Sequence, residues 1–407
     1  MKYIVVLGDG MADRPLKELS GKTPLEIAHK PAMDYVSRNG KTGLLRTLRD
    51  DMPLGSDIAN LSVLGYDPRK YYPGGRGPLE AAAMGISLDA GDIAFRANLV
   101  TAEKERMKDY SGGHISSIES KALIDCLNKE YADENIRFYP GVGYRHIMVL
   151  KNSDLSHEDF IETPPHDITG RLLKGNYIKP ANKGAESWAS KLNDIMNDST
   201  RILSDHPINK KRAREGKEPA NMVWFWGGGT KPAMPSFKEL YGVSGAVISA
   251  VDLLRGIAVY AGLAVVNVPG ATGYLDTDYA AKAEYALESL RDNDFVYIHV
   301  EAPDEAGHEG LVKEKVKAIE EIDEKIVARI LKEMKGQEYR LAVLPDHATP
   351  IEAMTHTSEP VPFAIYSSPE EGCGDGRAYD ERSAALGSYG LLAGKQFMDL
   401  FIRGIIR

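Results

Sequence analysis

Cysteine is nearly missing: Cys126 and Cys373 are the only two in 407 residues, and neither stands in the paired spacing of a metal site. Neither a disulfide framework nor a thiolate-held ion can be read from them. Long apolar runs are missing too. The opening stretch MKYIVVLGDGMADRP carries one lysine and an apolar run that stops at Asp9. It is too short to cross a bilayer and lacks the layout of a signal peptide, so a soluble, cytoplasmic chain with no membrane partner is expected. There is no internal repeat and no low-complexity tract. The glycine-rich GGGT (227–230) lacks the remainder of a G-x-x-x-x-G-K-[ST] nucleotide loop and reads as a turn after a strand. Positive charge is outweighed, 50 Lys and Arg against 59 Asp and Glu, a net charge of −9. That balance argues against a nucleic-acid partner, yet leaves small anionic substrates open, because these answer to local fields.

Apolar content is ample, 43%, and the length exceeds that at which one core stops growing, so a large domain with an insertion, or two domains, is expected. Apolar, β-branched runs predict buried strands at 2–8, 222–226, 263–269, 294–300 and 340–345. Between them, 313–334 places Val316, Ile319, Ile322, Ile326, Ile330 and Met334 on one helical stripe, and 245–263 reads as a more buried helix. Strand–helix alternation implies an α/β fold with a largely parallel central sheet flanked by helices. The middle differs, with short runs (IRFYPG, YRHIMVLK) and one helix pattern, SSIESKALIDCLNKEY. It predicts a smaller α+β domain at 97–180, inserted into a discontinuous main domain of 1–96 and 181–407. The basic run KKRAREGK (210–217) reads as a solvated turn in preference to an anion site.

In a parallel sheet, ligand groups collect beyond the carboxyl ends of the strands. Polar clusters fall there: Asp9 after the first run, Asp304 and His308 in HVEAPDEAGHEG (299–310), and Asp346 and His347 in LAVLPDH (341–347). His356 follows nine residues later in THTSEPVPF. One Asp-His pair alone reads as a satisfied loop histidine. Two pairs at strand ends, with Asp9 and His356 close behind, read as a metal centre, since borderline divalent ions accept both imidazole nitrogen and carboxylate oxygen. The ligands outnumber the needs of one ion, and paired ions can clamp the attacking and leaving oxygens of phosphoryl transfer. His299 reads as a core residue or a support for a ligand. Glu301, Glu305 and Glu309 read as ligand-orienting or solvent-facing.

Ser56 follows Gly55 before a helical stretch in MPLGSDIANLSVLGYDP (52–68). Alone it would be an N-cap, and no His-Asp relay to activate it is visible. A coordinated cation offers another route, by lowering the pKa of the hydroxyl. A phosphate pocket also needs fixed positive charge. Arg76, Arg96 and Arg145 are candidates, with His114 and Lys231 behind them.

The stretches LGDGMADRP, LGSDIANLSVLGYDP, GRGPLEAA, AFRANLVT, GAVISAVDLLRGIA, EAPDEAGHEG, PDHATP and HTSEPVPF run in one order through nearly the whole chain. In them the sequence resembles the cofactor-independent phosphoglycerate mutases of the short, archaeal type, within the alkaline phosphatase superfamily. The resemblance implies an alkaline-phosphatase-like core and two divalent ions, usually manganese, with zinc or magnesium as alternatives. It implies that Asp304, His308 and His356 hold one ion and that Asp9, Ser56, Asp346 and His347 hold the other. Ser56 would take the phosphoryl group from a small phosphorylated substrate and return it to the other hydroxyl of glycerate, with no bisphosphoglycerate. The inserted domain would hold the substrate and act as a lid. Other stretches, among them GHISS, FYPGVGYRHIMVL and PPHD, resemble a bacterial branch proposed to be homoserine kinases, which would move phosphate from ATP to homoserine through the same centre.

Overall fold

Two units emerge from the contacts of the computed structural model, which describes residues 1–370 and 372–406. The first joins Met1–Tyr72 to the described chain from Met234 onward, and the second is Pro73–Ala233. The expected insertion at 97–180 therefore covers only the middle of the second unit. The reason lies in strand pairing. Ile93–Glu103 straddles the expected boundary and pairs antiparallel with Met222–Thr230, so the chain must return past residue 222 before that sheet is complete. MVWFW is buried on both faces, which in sequence looks the same as a parallel core strand.

The first unit is built on an eight-stranded sheet. Its order is Ala264–Val266, Gly245–Ile248, Phe295–Val300, Lys2–Gly8, Tyr339–Leu344, Val361–Ser367, Lys41–Arg46 and Leu391–Ala393. Every strand except Val361–Ser367 runs in one direction. Lys2–Gly8 lies at the centre between Phe295–Val300 and Tyr339–Leu344, and Val5, Val6 and Leu7 are fully buried. The run 245–263, expected to be one helix, divides into the strand Gly245–Ile248 and the helix Asp252–Tyr260. The β-branched Val247 and Ile248 fit the pleated interior better than a helix.

The stripe at 313–334 is helical throughout, with Ile319, Ile322, Ile326, Ile330 and Met334 buried against the sheet and Val316 packed at their margin. A π-turn at Asp323–Val327 interrupts the α-helical repeat. There the buried Asp323 carboxylate accepts from the backbone N–H of Ala32 and Met33, at 3.2 and 2.6 Å, at the start of the helix Pro31–Asn39. The bulge thus uses a negative side chain to satisfy donors at a helix N-terminus.

The second unit has a five-stranded antiparallel sheet centred on Ile93–Glu103. Ser117–Tyr131 and Glu186–Asp205 are its main helices, and Leu123, Leu127, Leu192 and Met196 join Phe95, Trp224 and Phe225 in one core. GGGT does not form a turn; it ends the strand Met222–Thr230, with a register shift opposite Ala94 and Arg96 and φ of +61° at Gly227. The basic run at 210–217 corrects a second expectation, because it ends the helix Pro207–Arg214 and buries one of its charges. Arg212 is 2% exposed, pairs with Glu119 at 3.0 Å, and donates to the carbonyls of Gly112, Gly113 and Glu218.

These bonds give a prediction. Arg212→Ala leaves buried carbonyls without donors, and should lower the unfolding free energy of this unit by about 2–4 kcal/mol. Urea denaturation followed by tryptophan fluorescence measures it. An unchanged midpoint would show that the buried guanidinium contributes nothing net.

Candidate active site

The sheet delivers the polar clusters to one edge. Lys2–Gly8, Phe295–Val300 and Tyr339–Leu344 are parallel neighbours, so the residues that follow them emerge side by side: Asp9, then Glu301 and Asp304, then Asp346 and His347. Asp304 and His308 lie not in a loop but on the short helix Ala302–His308, where a four-residue spacing places both on one face. Val361–Ser367 runs against the others, so its beginning lies at the same edge, and His356 is brought there just before it. Ser56 opens the helix Ser56–Val63 after an N-cap at Gly55. All seven residues expected at this site come together.

The distances are short. Ser56 Oγ is 3.1 Å from His347 Nε2, which is also 3.3 Å from Asp9 Oδ1 and 3.6 Å from Asp346 Oδ2. His308 Nε2 lies 2.9 Å from His356 Nε2 and 3.2 Å from Asp304 Oδ2, and His356 Nε2 is 3.6 Å from Asp304 Oδ1. The other ring nitrogens determine what these atoms present. His308 Nδ1 is 3.1 Å from the Met354 carbonyl and His356 Nδ1 is 3.1 Å from the Leu54 carbonyl. A carbonyl only accepts, so both Nδ1 atoms carry hydrogen and both rings turn Nε2 inward, where it donates to Asp304 while the ring is protonated and offers a lone pair once that proton is lost. Met354 has φ of +52°, an uncommon conformation in a non-glycine residue, where it presents that carbonyl.

Such a convergence repels itself. Asp9, Asp346 and His347 are fully buried and Asp304 is nearly so. Like charges about 4 Å apart, at an effective dielectric near 20, repel by about 4 kcal/mol. Burial, and then the charges of Asp346, Glu301 and Asp304, push the Asp9 carboxyl well above its usual range. Burial and Asp304 push Glu301 up to about 8. Around Asp304, burial is overcome by the hydrogen bonds of His308 and His356, which hold its carboxyl well below that range. The bond to Asp304 holds His308 up to about 9. Asp9 Oδ1 and Glu301 Oε2 are buried without a hydrogen-bond partner among the described residues. Lone pairs, unsatisfied oxygens and surplus negative charge are what cation-binding groups have in common. Three overlapping sets have that geometry: Asp304, His308 and His356; Asp9, Asp304 and His347; and Asp9, His299 and Asp346.

His299 differs from the other histidines. Its Nε2 lies 3.1 Å from Asp9 Oδ2 and its Nδ1 lies 3.3 Å from Ser249 Oγ, while its carbonyl accepts from the buried Lys282 at 3.0 Å. Several further residues were not visible in the sequence. Asn60 donates to Asp346 Oδ2 and to the Ser56 carbonyl, both at 2.8 Å, and accepts from Tyr297 at 2.6 Å. Its position one turn beyond Ser56 was the available signal. Thr349 Oγ1 bonds Asp304 and lies 3.2 Å from His347 Nδ1. Gly10 has φ of +59°, and a Cβ there would meet Asp304 Oδ1 at 2.5 Å, so only glycine fits.

In the second unit, Arg96 lies on Ile93–Glu103, 7% exposed, with its Nε 3.1 Å from Glu80 and its guanidinium 4.4 Å from the Trp226 ring. That Nε–H does not point at the carboxylate and makes no hydrogen bond. Burial lowers the Arg96 pKa, and the charges of Arg76 and Arg145 lower it further against the pull of Glu80. The three arginines are therefore close enough to interact. His166 joins them, its ring 5.3 Å from Trp226, its pKa lowered chiefly by burial and further by Arg76 and Arg96. PPHD carried His166 in the sequence without a spacing that marked it. His114 sits, with φ of +48°, in the turn built on Asp109, and Lys231 is exposed just past Met222–Thr230.

A sequence profile of the 2,3-bisphosphoglycerate-independent phosphoglycerate mutase family matches residues 37–209. A mutase of that name from Methanosarcina acetivorans is 51% identical over 405 residues, covering 99% of this chain and 100% of the relative. A protein from Geobacter sulfurreducens, named as a probable mutase of the same kind, is 48% identical over 407 residues, with 99% and 100% covered. Among solved structures, a protein from Pyrococcus horikoshii superposes with a TM-score of 0.84 at 30% identity, over 99% of this chain and 96% of that one. The cofactor-independent phosphoglycerate mutase of Thermoplasma acidophilum superposes with a TM-score of 0.70 at 29% identity, over 99% of each. The homoserine kinase alternative finds no support in these relatives. With full-length identity near one half, the chain belongs to the 2,3-bisphosphoglycerate-independent phosphoglycerate mutase family.

Proposed function

We propose that this chain interconverts 3-phosphoglycerate and 2-phosphoglycerate through a phosphoserine at Ser56. The observation that carries the reading is the convergence of His308, His356 and His347 Nε2 atoms on Asp9, Asp304 and Asp346 beside the Ser56 hydroxyl. In a hydrolase of the serine–histidine type, Nε2 faces one hydroxyl. Here His347 Nε2 faces Asp9 and Asp346 as well, a grouping that a shared cation accounts for and a catalytic triad does not. Asp304, His308 and His356 would hold one divalent cation, and Asp9, Ser56, Asp346 and His347 a second. Mixed imidazole and carboxylate donors suit manganese better than magnesium. When bound, the ions supply positive charge that lowers the pKa of the serine hydroxyl and neutralises the transferring phosphoryl group.

The chain's own groups do the rest. Ser56 Oγ forms a bond to phosphorus as the bond from phosphorus to the C3 oxygen breaks, and that oxygen takes up the proton lost by the serine. In the second half, the C2 hydroxyl oxygen forms a bond to phosphorus as the bond from phosphorus to Ser56 Oγ breaks, and the proton lost by the C2 hydroxyl passes to Ser56. Atoms balance within one substrate, so no bisphosphoglycerate is consumed. Arg76, Arg96 and Arg145 would bind the carboxylate and phosphate as guanidinium forks, with His114 and Lys231 as further contacts. The second unit would thereby supply the cationic groups that hold the glycerate.

Three outcomes test this. With manganese and 3-phosphoglycerate alone, the protein should form 2-phosphoglycerate, read by phosphorus NMR; release of free phosphate instead would make it a phosphatase. Ser56→Ala should lose turnover by at least about 10⁴-fold while elemental analysis finds manganese nearly intact, and Asp346→Ala should lower the manganese content. The third outcome concerns pH. His308, ordinarily near 6.5 when unfolded, is held up to about 9 in the folded, metal-free chain. Its protonation therefore stabilises the stripped protein fully below pH ~6.5, and that stabilisation is lost as pH rises through about 9. The melting temperature of the chelator-treated protein should fall between pH 7 and 9.5, and manganese added at pH 7.5 should release protons, seen as a binding heat that varies with the buffer. A flat melting profile would remove the His308–Asp304 pair from this account.

A further inference from the structure

Thr349 lies where the two sets of ligands meet. It is fully buried, and its hydroxyl bonds Asp304 Oδ1 on one side and lies 3.2 Å from His347 Nδ1 on the other. A hydroxyl has one hydrogen to give. A carboxylate can only accept, so that hydrogen goes to Asp304, and the hydroxyl oxygen must then accept from His347 Nδ1–H. This leaves the His347 lone pair on Nε2, the atom that faces Ser56, Asp9 and Asp346. For His308 and His356 the same task falls to backbone carbonyls, which touch no second ligand.

The surroundings hold Thr349 from several sides. Its carbonyl accepts at 2.8 Å from Lys315, a fully buried ammonium that also reaches Asp13 Oδ2 at 2.8 Å and the Ala12 carbonyl at 3.2 Å. Asp13 in turn accepts from the Ile351 backbone at 3.2 Å. Lys315 thus ties the segment after Asp9 to the segment after His347. Two glycines leave room for the threonine. A Cβ on Gly10 would lie 2.6 Å from Thr349 Oγ1, and a Cβ on Gly307, on the helix of Asp304 and His308, would lie 2.6 Å from the Thr349 carbonyl. Distances this short are closed to any side chain, so the elements bearing Asp9, Asp304 and His308 all close onto this residue.

We infer that Thr349 is a positioning residue that couples the two ion sites: through one hydroxyl it orients Asp304 for the first and fixes the His347 tautomer for the second, so that filling either site favours filling the other. The inference rests on the two-ion reading of the site. Coupling follows because both ligands share one hydrogen-bond partner, and ordering that partner for one ion orders it for the other.

The test uses the full chain, stripped with chelator and titrated with manganese alone, with free manganese counted by electron paramagnetic resonance. The wild-type protein should take up two ions, the second no more weakly than the first. Thr349→Val keeps the shape and removes the hydroxyl. It should lose about 10–100-fold in affinity for one ion and bind the two in separate steps. Thr349→Ser, which restores the hydroxyl, should recover most of the coupling, a recovery that a purely packing role would not produce. Should the valine variant fail to fold by circular dichroism, Thr349→Ala supplies the same comparison. Two ions bound by the hydroxyl-less variant with wild-type affinities would overturn the inference and leave the metal reading standing. A wild-type protein that binds no manganese would instead overturn the metal reading itself.

Discussion

Mutual repulsion among buried acceptors is the constraint around which the first unit is arranged. Asp9, Asp304, Asp346 and Glu301 lie within reach of one another's charge, with the Nε2 atoms of three imidazoles turned toward them. Nothing in ordinary core formation gathers such groups; left uncompensated, they favour any rearrangement that separates them. They are held by backbone placed by the sheet, by carbonyls that fix two histidines, and by Thr349 and Asn60, whose hydrogen bonds leave the carboxylates little freedom. Stability is conceded at one edge of the sheet so that positive charge, once present, is bound strongly there.

Membership of the phosphoglycerate mutase family and this geometry agree on the chemistry. The Ser56 hydroxyl lies beside a cluster of groups suited to a divalent cation, and not in a catalytic triad. In the second unit Arg76, Arg96 and Arg145 lie close enough to interact, a local concentration of positive charge in a protein whose net charge is negative. Arg96 shows how such a charge is kept ready. It is buried, stacked on Trp226 and set beside Glu80, yet retains an Nε–H without a hydrogen-bond partner among the described residues.

Much of the site was legible because the topology is simple. A buried run followed within a few residues by an acidic residue marks a strand end in a parallel sheet, and Asp9, Asp304 and Asp346 all carry that mark. His356 was legible only by its nearness in sequence; the antiparallel course of Val361–Ser367, which brings it to the right edge, leaves no trace in composition. Thr349 and Asn60 were not legible, since a threonine or asparagine acts here through bonds across some 45 and 286 residues of chain, to Asp304 and Asp346. The domain boundaries misled for a related reason. A strand buried on both faces reads alike whether its partners are parallel or antiparallel, so MVWFW was assigned to the wrong sheet. The run at 245–263 merged a strand with a helix because four apolar residues carry too little periodicity to separate them.

The position of Lys2–Gly8 has a consequence for how the chain is made. It is the middle strand of its sheet, yet both its neighbours lie beyond residue 294, on the far side of the whole second unit. The strand is made before both neighbours and cannot pair within the sheet until the chain beyond residue 294 has followed. Residues 73–233 are contiguous and can complete their own sheet while the leading apolar segment still waits, its edges open to any passing strand. The nascent protein must therefore shelter a fully buried segment while the second unit is made, and Ser56 is made long before Asp304, Asp346 and the histidines that gather around it.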